Sequence, residues 1–278
     1  MKPLGEQVAL VTGGTKDMGA AIALRLAQDG ADVAVIGRDT VAGAQVVSRI
    51  EATGQKGLFA RADVGAEADV EASVTAVTDA FGQIDIVVNN AAAVDTIRSG
   101  SEKPVVEEST ATFERVLRVG VHGPFWYARA VLPGMVRRGR GCFVHISSTA
   151  AHRATKGMTA YSASKGALEA LSRQIALDYG GAGVRSNVII VGAVTVAANR
   201  TLHDDPEARE RIMSNLMLPR MGTPDDIAAA VAYLCGPGSG YITGAVLPID
   251  GGLLAKLAVR DPSQVFRESG MEGVVDVR

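Results

Sequence analysis

The sequence has few of the residues that mark metal sites, disulfide scaffolds, membrane spans or nucleic-acid surfaces. Its 278 residues include two cysteines, Cys142 and Cys235, and four histidines, without the spacing of metal ligands. We therefore expect no metal site, and two buried free thiols rather than a disulfide. No apolar run approaches the roughly 18 residues of a membrane span, and the first residues lack the apolar segment of a signal peptide. A net charge of -2 offers no basic field to nucleic acid or anionic lipid. These absences predict a cytoplasmic protein without nucleic-acid or membrane partners.

Short apolar runs alternate with helical stretches along most of the chain, and 47% of the residues are apolar. The short runs are typical of strands buried on both faces of a parallel sheet, and they cover residues 8–11, 32–36, 58–62, 84–88, 142–146, 186–191 and 246–249. Helices are predicted for residues 20–29, 41–53, 67–81, 112–138 and 159–179. A further helix should begin at Thr223, as N-cap, with Pro224 at the first helical position and Asp226 at the third.

This repetition of strand and helix predicts an α/β fold, with a single doubly wound parallel seven-stranded sheet and helices on both faces. One such sheet needs no domain boundary, so residues 1–252 are predicted to form one domain. Residues 193–222 interrupt the rhythm and are a candidate substrate lid. Residues 253–278 are more polar and are predicted to be a C-terminal extension.

A glycine-rich turn lies between the first predicted strand and the first predicted helix. Residues 12–19 read Thr-Gly-Gly-Thr-Lys-Asp-Met-Gly. Glycines let a backbone approach a pyrophosphate closely, and a helix N-terminus offers it unpaired N–H groups and a positive dipole end. Tight turns also favour glycine, but the position directly after the first strand favours phosphate binding.

Tyr161 and Lys165 are four residues apart in a predicted helix, so both side chains should lie on one face. A phenol is a poor base at neutral pH. An ammonium about 4 Å away contributes ~4 kcal/mol at an effective dielectric of 20, which corresponds to ~3 pKa units. The spacing therefore predicts that Lys165 lowers the pKa of Tyr161.

These motifs together resemble the short-chain dehydrogenase/reductase family. The turn is similar to TGxxxGxG, Tyr161 and Lys165 match YxxxK, and Ser148 stands thirteen residues before the tyrosine. Residues 89–92, Asn-Asn-Ala-Ala, resemble NNAG, and residues 219–224, 241–244 and 250–252 extend the resemblance, which covers residues 5–252. It implies a Rossmann-type catalytic domain in which Tyr161 exchanges the proton, Lys165 supports it and binds the nicotinamide ribose, and Ser148 orients the carbonyl.

The resemblance also implies a nicotinamide cofactor. The residues that it places against the cofactor are Gly13, Thr15, Lys16, Asp17, Met18, Gly19, Arg38, Asp63, Val64, Asn90, Ala91, Ala92, Tyr161, Lys165, Gly192 and Val194. The second strand is followed by Arg38 rather than by the carboxylate that selects NAD, and Arg38 and Lys16 could bind a 2′-phosphate. NADP(H) is therefore favoured, and Asp39 keeps NAD(H) as the alternative.

Several positions depart from the family pattern. Asp17 replaces the middle glycine of the turn, and we expect it to cap the first helix and to be neutralised by Lys16. Gly120 replaces an asparagine of the proton relay, so a modified relay is expected. Val191 replaces a proline, and His122 is predicted to be a helix-packing histidine.

The sequence thus predicts an NADP(H)-dependent oxidoreductase that interconverts a ketone or aldehyde and an alcohol. The alternatives are an NAD-dependent dehydrogenase, a protein that binds the cofactor without catalysis, and a structural subunit of a larger assembly. The expected partner is a small apolar carbonyl or alcohol substrate. A homo-oligomer, tetramer or dimer, is expected through helices 112–138 and 159–179 and the last strand.

Overall fold

The computed structural model describes residues 2–197 and 204–256, so part of the predicted lid (198–203) and of the predicted extension (257–278) lies outside the described residues. Seven parallel strands form one sheet in the order β3-β2-β1-β4-β5-β6-β7. The strands are β1 (Val8–Thr12), β2 (Asp32–Gly37), β3 (Gly57–Arg61), β4 (Ile86–Asn89), β5 (Gly141–Ser148), β6 (Val184–Val191) and β7 (Val246–Ile249). The predicted doubly wound α/β sheet is confirmed.

Helices cover both faces of the sheet. They are α1 (Asp17–Gln28), α2 (Thr40–Glu51), α3 (Glu67–Phe81), α4 (Val94–Arg98), α5 (Thr110–Leu117), α6 (Gly123–Arg138), α7 (Thr159–Tyr179), α8 (Pro206–Met213) and α9 (Pro224–Cys235). Ile22 of α1 and Ile227 of α9 are buried in the apolar cluster on one face. Val70 of α3 and Met135 of α6 are buried in the cluster on the other face. Because the central strands are covered on both sides, β1 and β4 are buried along their whole length and show no alternation of apolar and polar residues.

The centre of the sheet shows why the ends of its strands meet. Every residue of β1 is buried, and Val11 lies opposite Val35 of β2 and Val88 of β4. All strands point the same way, so the loops after them converge at one edge. β2 and β3 lie on one side of β1, and after β3 the chain crosses to the other side of β1 to form β4. A crevice therefore opens between the carboxyl ends of β1 and β4.

The predicted helix over residues 112–138 is wrong in its middle. Residues Arg118–His122 form a π-helical turn between α5 and α6. A Cβ on Gly123 would lie 2.6 Å from the Val64 carbonyl oxygen, and one on Gly120 would lie 3.0 Å from Ser164 Cβ. The two glycines therefore let this turn approach a neighbouring loop and α7, a tertiary effect that helical spacing does not reveal.

The predicted start of α9 is confirmed in its details. The Thr223 side chain accepts from the Asp226 N–H, and the Asp226 carboxylate accepts from the Thr223 N–H at 2.7 Å. Arg220 donates two hydrogen bonds to the same carboxylate at 2.7 and 2.8 Å. The Arg220 hydrogen bonds and charge, with those from Thr223, hold the pKa of Asp226 below its usual range despite partial burial.

The predictions drawn from the scarce residues can be compared with the structure. Cys142 and Cys235 are free and buried, as predicted. Among residues 2–197 and 204–256, no group of histidine, cysteine and acidic side chains could hold a metal ion. Within the same ranges no helix has the length and hydrophobicity to cross a membrane. His122 packs edge-on against Trp126, with ring centroids 5.5 Å apart, as a packing histidine should.

Candidate active site

A cleft of about 750 Å³ opens at the carboxyl ends of the strands. The loops after β1, β2, β4, β5 and β6 all contribute to it. Every residue predicted for catalysis or cofactor binding lines this cleft: Gly13, Thr15, Lys16, Asp17, Met18, Gly19, Arg38, Asp63, Val64, Asn90, Ala91, Ala92, Ser148, Tyr161, Lys165, Gly192 and Val194. The fold therefore brings together residues as far apart in the sequence as Gly13 and Val194, which are separated by 181 positions.

The glycine turn is held open by its neighbours. Gly13 has a φ of 62°, and a Cβ on Gly19 would lie 2.1 Å from the Gly13 carbonyl oxygen. The Asn90 amide donates to the carbonyls of Thr12 and Gly13 at 3.0 and 3.2 Å. The Thr12 hydroxyl accepts from the N–H groups of Asn90 and Ala91. The Asn90 side chain thus braces the turn, a role that the motif alone does not reveal.

The predicted role of Asp17 as a helix cap is wrong. Asp17 is the first residue of α1, so the N-cap position falls to Lys16, whose side chain makes no capping hydrogen bond. Asp17 has a φ of 50°, which few non-glycine residues adopt, although Asp tolerates it better than most. Its carboxylate accepts from the N–H of Ala197 at 3.0 Å. The carboxylate therefore connects the phosphate turn to the beginning of the predicted lid.

Charged side chains lie at the end of the cleft beside β2. The Arg38 side chain is 60% exposed, and its nearest guanidinium nitrogen lies 4.0 Å from the Asp63 carboxylate. The Asp39 carboxylate accepts from the Ala42 N–H at 3.0 Å and caps α2. Arg38 is therefore an accessible cation, whereas the Asp39 carboxylate is already engaged in capping α2.

A second ion pair in this region was not predicted. Arg115 donates to Asp95 at 2.6 Å, and both residues line the cleft. Burial raises the pKa of Asp95, but the hydrogen bond and charge of Arg115, with the charge of Arg38, lower it by more. Residues 95 and 115 are too far apart in sequence for any spacing rule to pair them.

Ser148, Tyr161 and Lys165 meet at the other end of the cleft. Ser148 is the last residue of β5, and its hydroxyl accepts from the Ala150 N–H at 3.2 Å. Lys165 is 2% exposed, donates to the Ile146 carbonyl at 2.7 Å and lies 5.5 Å from the centre of the Tyr161 ring. Burial lowers the pKa of Lys165 to about 8, although the charge of Glu169 raises it.

The predicted direction of the Tyr161 pKa shift is wrong in this structure. Burial of the phenol raises its pKa, the Ser148 hydrogen bond lowers it, and the negative charge of Glu102 raises it further, so the net shift is upward. The Lys165 ammonium faces the ring and is bound to the Ile146 carbonyl. Tyr161 is therefore protonated at neutral pH.

Glu102 is a buried residue beside the tyrosine that sequence reasoning missed. Its carboxylate accepts from the Tyr161 N–H at 3.0 Å and from the Thr96 hydroxyl at 3.3 Å. The next residue, Lys103, accepts from the Thr159 hydroxyl at 2.8 Å. This loop therefore satisfies the first turn of α7 and fixes the tyrosine. In the sequence Glu102 is one of several acidic residues in a polar stretch, and nothing distinguishes it.

The chain is similar to known proteins over most of its length. A family profile described as Enoyl-(Acyl carrier protein) reductase matches residues 13–254. 4-Formylbenzenesulfonate dehydrogenase of Comamonas testosteroni is 37% identical and covers 90% of this chain and 98% of its own length. Dehydrogenase/reductase SDR family member 4 of Homo sapiens is 35% identical and covers 92% and 90%. The crystal structure of NAD+-bound xylitol dehydrogenase matches with a TM-score of 0.83 at 30% identity, covering 90% of this chain and all of that one.

These matches cover about nine-tenths of the chain, so they concern the complete fold rather than one motif. The chain therefore belongs to the short-chain dehydrogenase/reductase family and is an NAD(P)-dependent oxidoreductase that acts on alcohol and carbonyl groups.

Proposed function

We propose that the protein reduces a small ketone or aldehyde to an alcohol with NADP(H) as cofactor. The observation that carries this proposal is the meeting of Ser148, Tyr161 and Lys165 in the same cleft as the phosphate turn and the exposed Arg38. The turn suits a dinucleotide, because it is so tight that a Cβ at Gly13 or Gly19 would meet Ala91, Asn90 or the Gly13 carbonyl oxygen. A glycine turn of this kind lets the backbone approach a pyrophosphate closely.

The catalytic roles follow from the protonation states. When bound in this cleft, a reduced nicotinamide would supply the hydride that the carbonyl carbon receives. Tyr161, protonated because its pKa is raised, donates its proton to the carbonyl oxygen. The Ser148 hydroxyl holds that oxygen and the phenol in one geometry. Lys165, with a pKa of about 8, is cationic below that pH and stabilises the phenolate that remains.

The substrate is proposed to be apolar. The lining of the cleft includes Ala92, Ala93, Val94 and Val196, with Ile212 of α8. Because Val196 and Ile212 belong to residues 193–222, we propose this segment as the substrate lid of a single catalytic domain, residues 1–252. These apolar side chains favour a ketone or aldehyde on a hydrocarbon frame.

A substrate panel tests the function directly. The purified protein is incubated with alicyclic ketones, aromatic aldehydes and secondary alcohols, and absorbance of NADPH and NADH is followed. Oxidation of NADPH by a ketone or aldehyde supports the proposal. Reaction only with NADH or NAD+ favours the NAD-dependent alternative, which the NAD+-bound xylitol dehydrogenase also illustrates. Binding of dinucleotide without turnover of any compound favours a cofactor-binding protein without catalysis.

Arg38 should decide the preference between the two cofactors. A charge-assisted bond to a 2′-phosphate contributes about 1.5–3 kcal/mol, so Arg38→Ala should weaken NADPH binding about 10- to 100-fold. NADH affinity should change little, because NADH lacks that phosphate. Titration calorimetry measures both, with Arg61→Ala as the matched control, since Arg61 is an exposed cation at the end of β3 that does not line the cleft. Equal losses for NADPH and NADH would contradict the assignment.

A homo-oligomer is proposed through two surfaces. On the helical surface, Phe125 of α6 is 45% exposed and Leu177 of α7 is 78% exposed. At the sheet edge, Leu247 of β7 is 37% exposed and Tyr241 is fully exposed. Apolar side chains on two separate surfaces favour a tetramer over a dimer. Light scattering should therefore give about four times the 28.8 kDa chain mass, and a monomer would contradict the proposal.

A further inference from the structure

Asp17 has an unusual backbone conformation at the start of α1. It is the first residue of that helix and has a φ of 50°. Non-glycine residues seldom adopt a positive φ, whereas a glycine would adopt it without strain. Residues 12–19 contain no other acidic side chain. The aspartate is therefore disfavoured by the local backbone, and its contribution lies in what its carboxylate contacts.

The Asp17 carboxylate holds a segment that forms part of the cleft wall. Its Oδ1 atom accepts from the Ala197 N–H at 3.0 Å. Ala197 ends the crossing segment, residues 193–197, whose other end is joined to Gly222 by two backbone hydrogen bonds of 2.9 Å. Between these two attachments Val196 lines the cleft and packs against the buried apolar cluster on that face of the sheet. Asp17 therefore fixes one end of this wall.

The same carboxylate lies where a dinucleotide would bring negative charge. Asp17 lines the cleft together with Gly13 and Gly19 of the phosphate turn. The first N–H groups of α1 and the positive end of its dipole attract anions, and a bound pyrophosphate would use both. An aspartate in the first turn is itself such an anion. Its charge therefore opposes the binding of a second anion at the same helix end.

We propose that Asp17 acts on the cofactor site in two opposed ways: its carboxylate holds the crossing segment in place before the dinucleotide binds, and its charge weakens the binding of the pyrophosphate. The inference rests on the proposed dinucleotide site. It applies equally to NADPH and NADH, because both contain the pyrophosphate. The cleft wall is thus ordered in advance, at the expense of cofactor affinity.

The other charged groups near the turn do not act in this way. Lys16, beside Asp17, is a cation and favours phosphate. The Asp63 carboxylate lies 4.0 Å from the Arg38 guanidinium, which offsets its charge. The Asp39 carboxylate accepts from a backbone N–H and caps α2. The repulsive charge within the phosphate turn is therefore that of Asp17.

Two substitutions separate the charge from the hydrogen bond. Asp17→Asn removes the charge but keeps an oxygen that can accept from the Ala197 N–H, and asparagine tolerates a positive φ. Asp17→Gly removes the charge and the acceptor together and suits the backbone. Asp79→Asn is the matched control, because Asp79 is an exposed acid of α3 that does not line the cleft.

Two measurements are made on the full-length proteins. Calorimetry gives the Kd for NADPH and for NADH. Hydrogen exchange of the cofactor-free proteins follows the backbone amides of the crossing segment.

The proposal predicts a specific pattern. Asp17→Asn should lower the Kd for NADPH and for NADH about tenfold, by the same factor for both, unlike a change at Arg38. The amides of the crossing segment should exchange at the parent rate in Asp17→Asn and about tenfold or more faster in Asp17→Gly. Asp79→Asn should match the parent in both measurements.

Either of two results would overturn the proposal. A Kd for Asp17→Asn that equals or exceeds the parent value shows that the charge does not oppose the pyrophosphate. Parent exchange rates in Asp17→Gly show that the carboxylate does not hold the crossing segment. Both results leave the reductase function standing if the parent binds NADPH. A parent that binds neither dinucleotide overturns the inference and the proposed function together, whereas one that binds NADH alone removes only the preference for NADP(H).

Discussion

The Tyr161→Phe protein should bind NADPH as tightly as the parent and reduce carbonyl substrates about a thousandfold more slowly. The substitution removes one hydroxyl from a side chain that packs against a small buried cluster of Ala93, Val116 and Ala160. The fold and the phosphate turn should therefore be preserved. What is lost is the proton that the phenol gives to the carbonyl oxygen.

The measurement is the rate of NADPH oxidation at saturating substrate, with dinucleotide affinity determined separately by calorimetry. Tyr179→Phe is the matched control, because Tyr179 ends the same helix and packs into the apolar core far from Ser148. It should keep the parent rate. Near-parent turnover in Tyr161→Phe would refute the role assigned to this tyrosine.

Gly19→Ala should abolish useful binding of both dinucleotides. The added Cβ would lie 2.1 Å from the Gly13 carbonyl oxygen and 2.7 Å from Nδ2 of Asn90. Neither atom can move freely, since the Asn90 amide is bonded to Thr12 and Gly13. The turn must open to accept the methyl group, and its N–H groups then no longer converge on a pyrophosphate.

We expect the Kd for NADPH and for NADH to rise about a hundredfold or more, because contacts to ionised phosphate are each worth about 1.5–3 kcal/mol. Gly166→Ala provides the control, since a Cβ there meets nothing within 4 Å in α7. That variant should keep its affinity and gain about 1 kcal/mol of helix stability. A Kd for Gly19→Ala within a few-fold of the parent would exclude this turn as the phosphate site.

Local sequence patterns predict most strands and helices, because each of these elements carries its own characteristic apolar or capping residues. Buried parallel strands such as β1 are uniformly apolar, and the Thr223 start of α9 carries its own capping residues. The π-helical turn could not be predicted from local patterns, because it depends on the close approach of Gly123 to Val64 and of Gly120 to Ser164. In the sequence, the two glycines indicate only a low helix propensity and give no sign of these contacts.

The site divides in the same way. Residues at the carboxyl ends of strands, such as Ser148, can be placed at the cleft from the sequence, because parallel strands end at the same edge of the sheet. Glu102 cannot, because its effect depends on a contact with Tyr161 that only the fold creates. The sign of the Tyr161 pKa shift is wrong for the same reason, since spacing shows the nearby cation but not the burial.

The strand order also has a consequence for synthesis on the ribosome. The first four strands form one contiguous half of the sheet, β3-β2-β1-β4, and β5, β6 and β7 are then added to one side in the order in which they are translated. Until β5 emerges, the nascent chain carries β4, with the buried residues Ile86, Val87 and Val88, as an unpaired edge. If translation pauses at that stage, the unpaired edge of β4 is exposed to pairing with other chains, and it is covered when β5 (Gly141–Ser148) pairs with it.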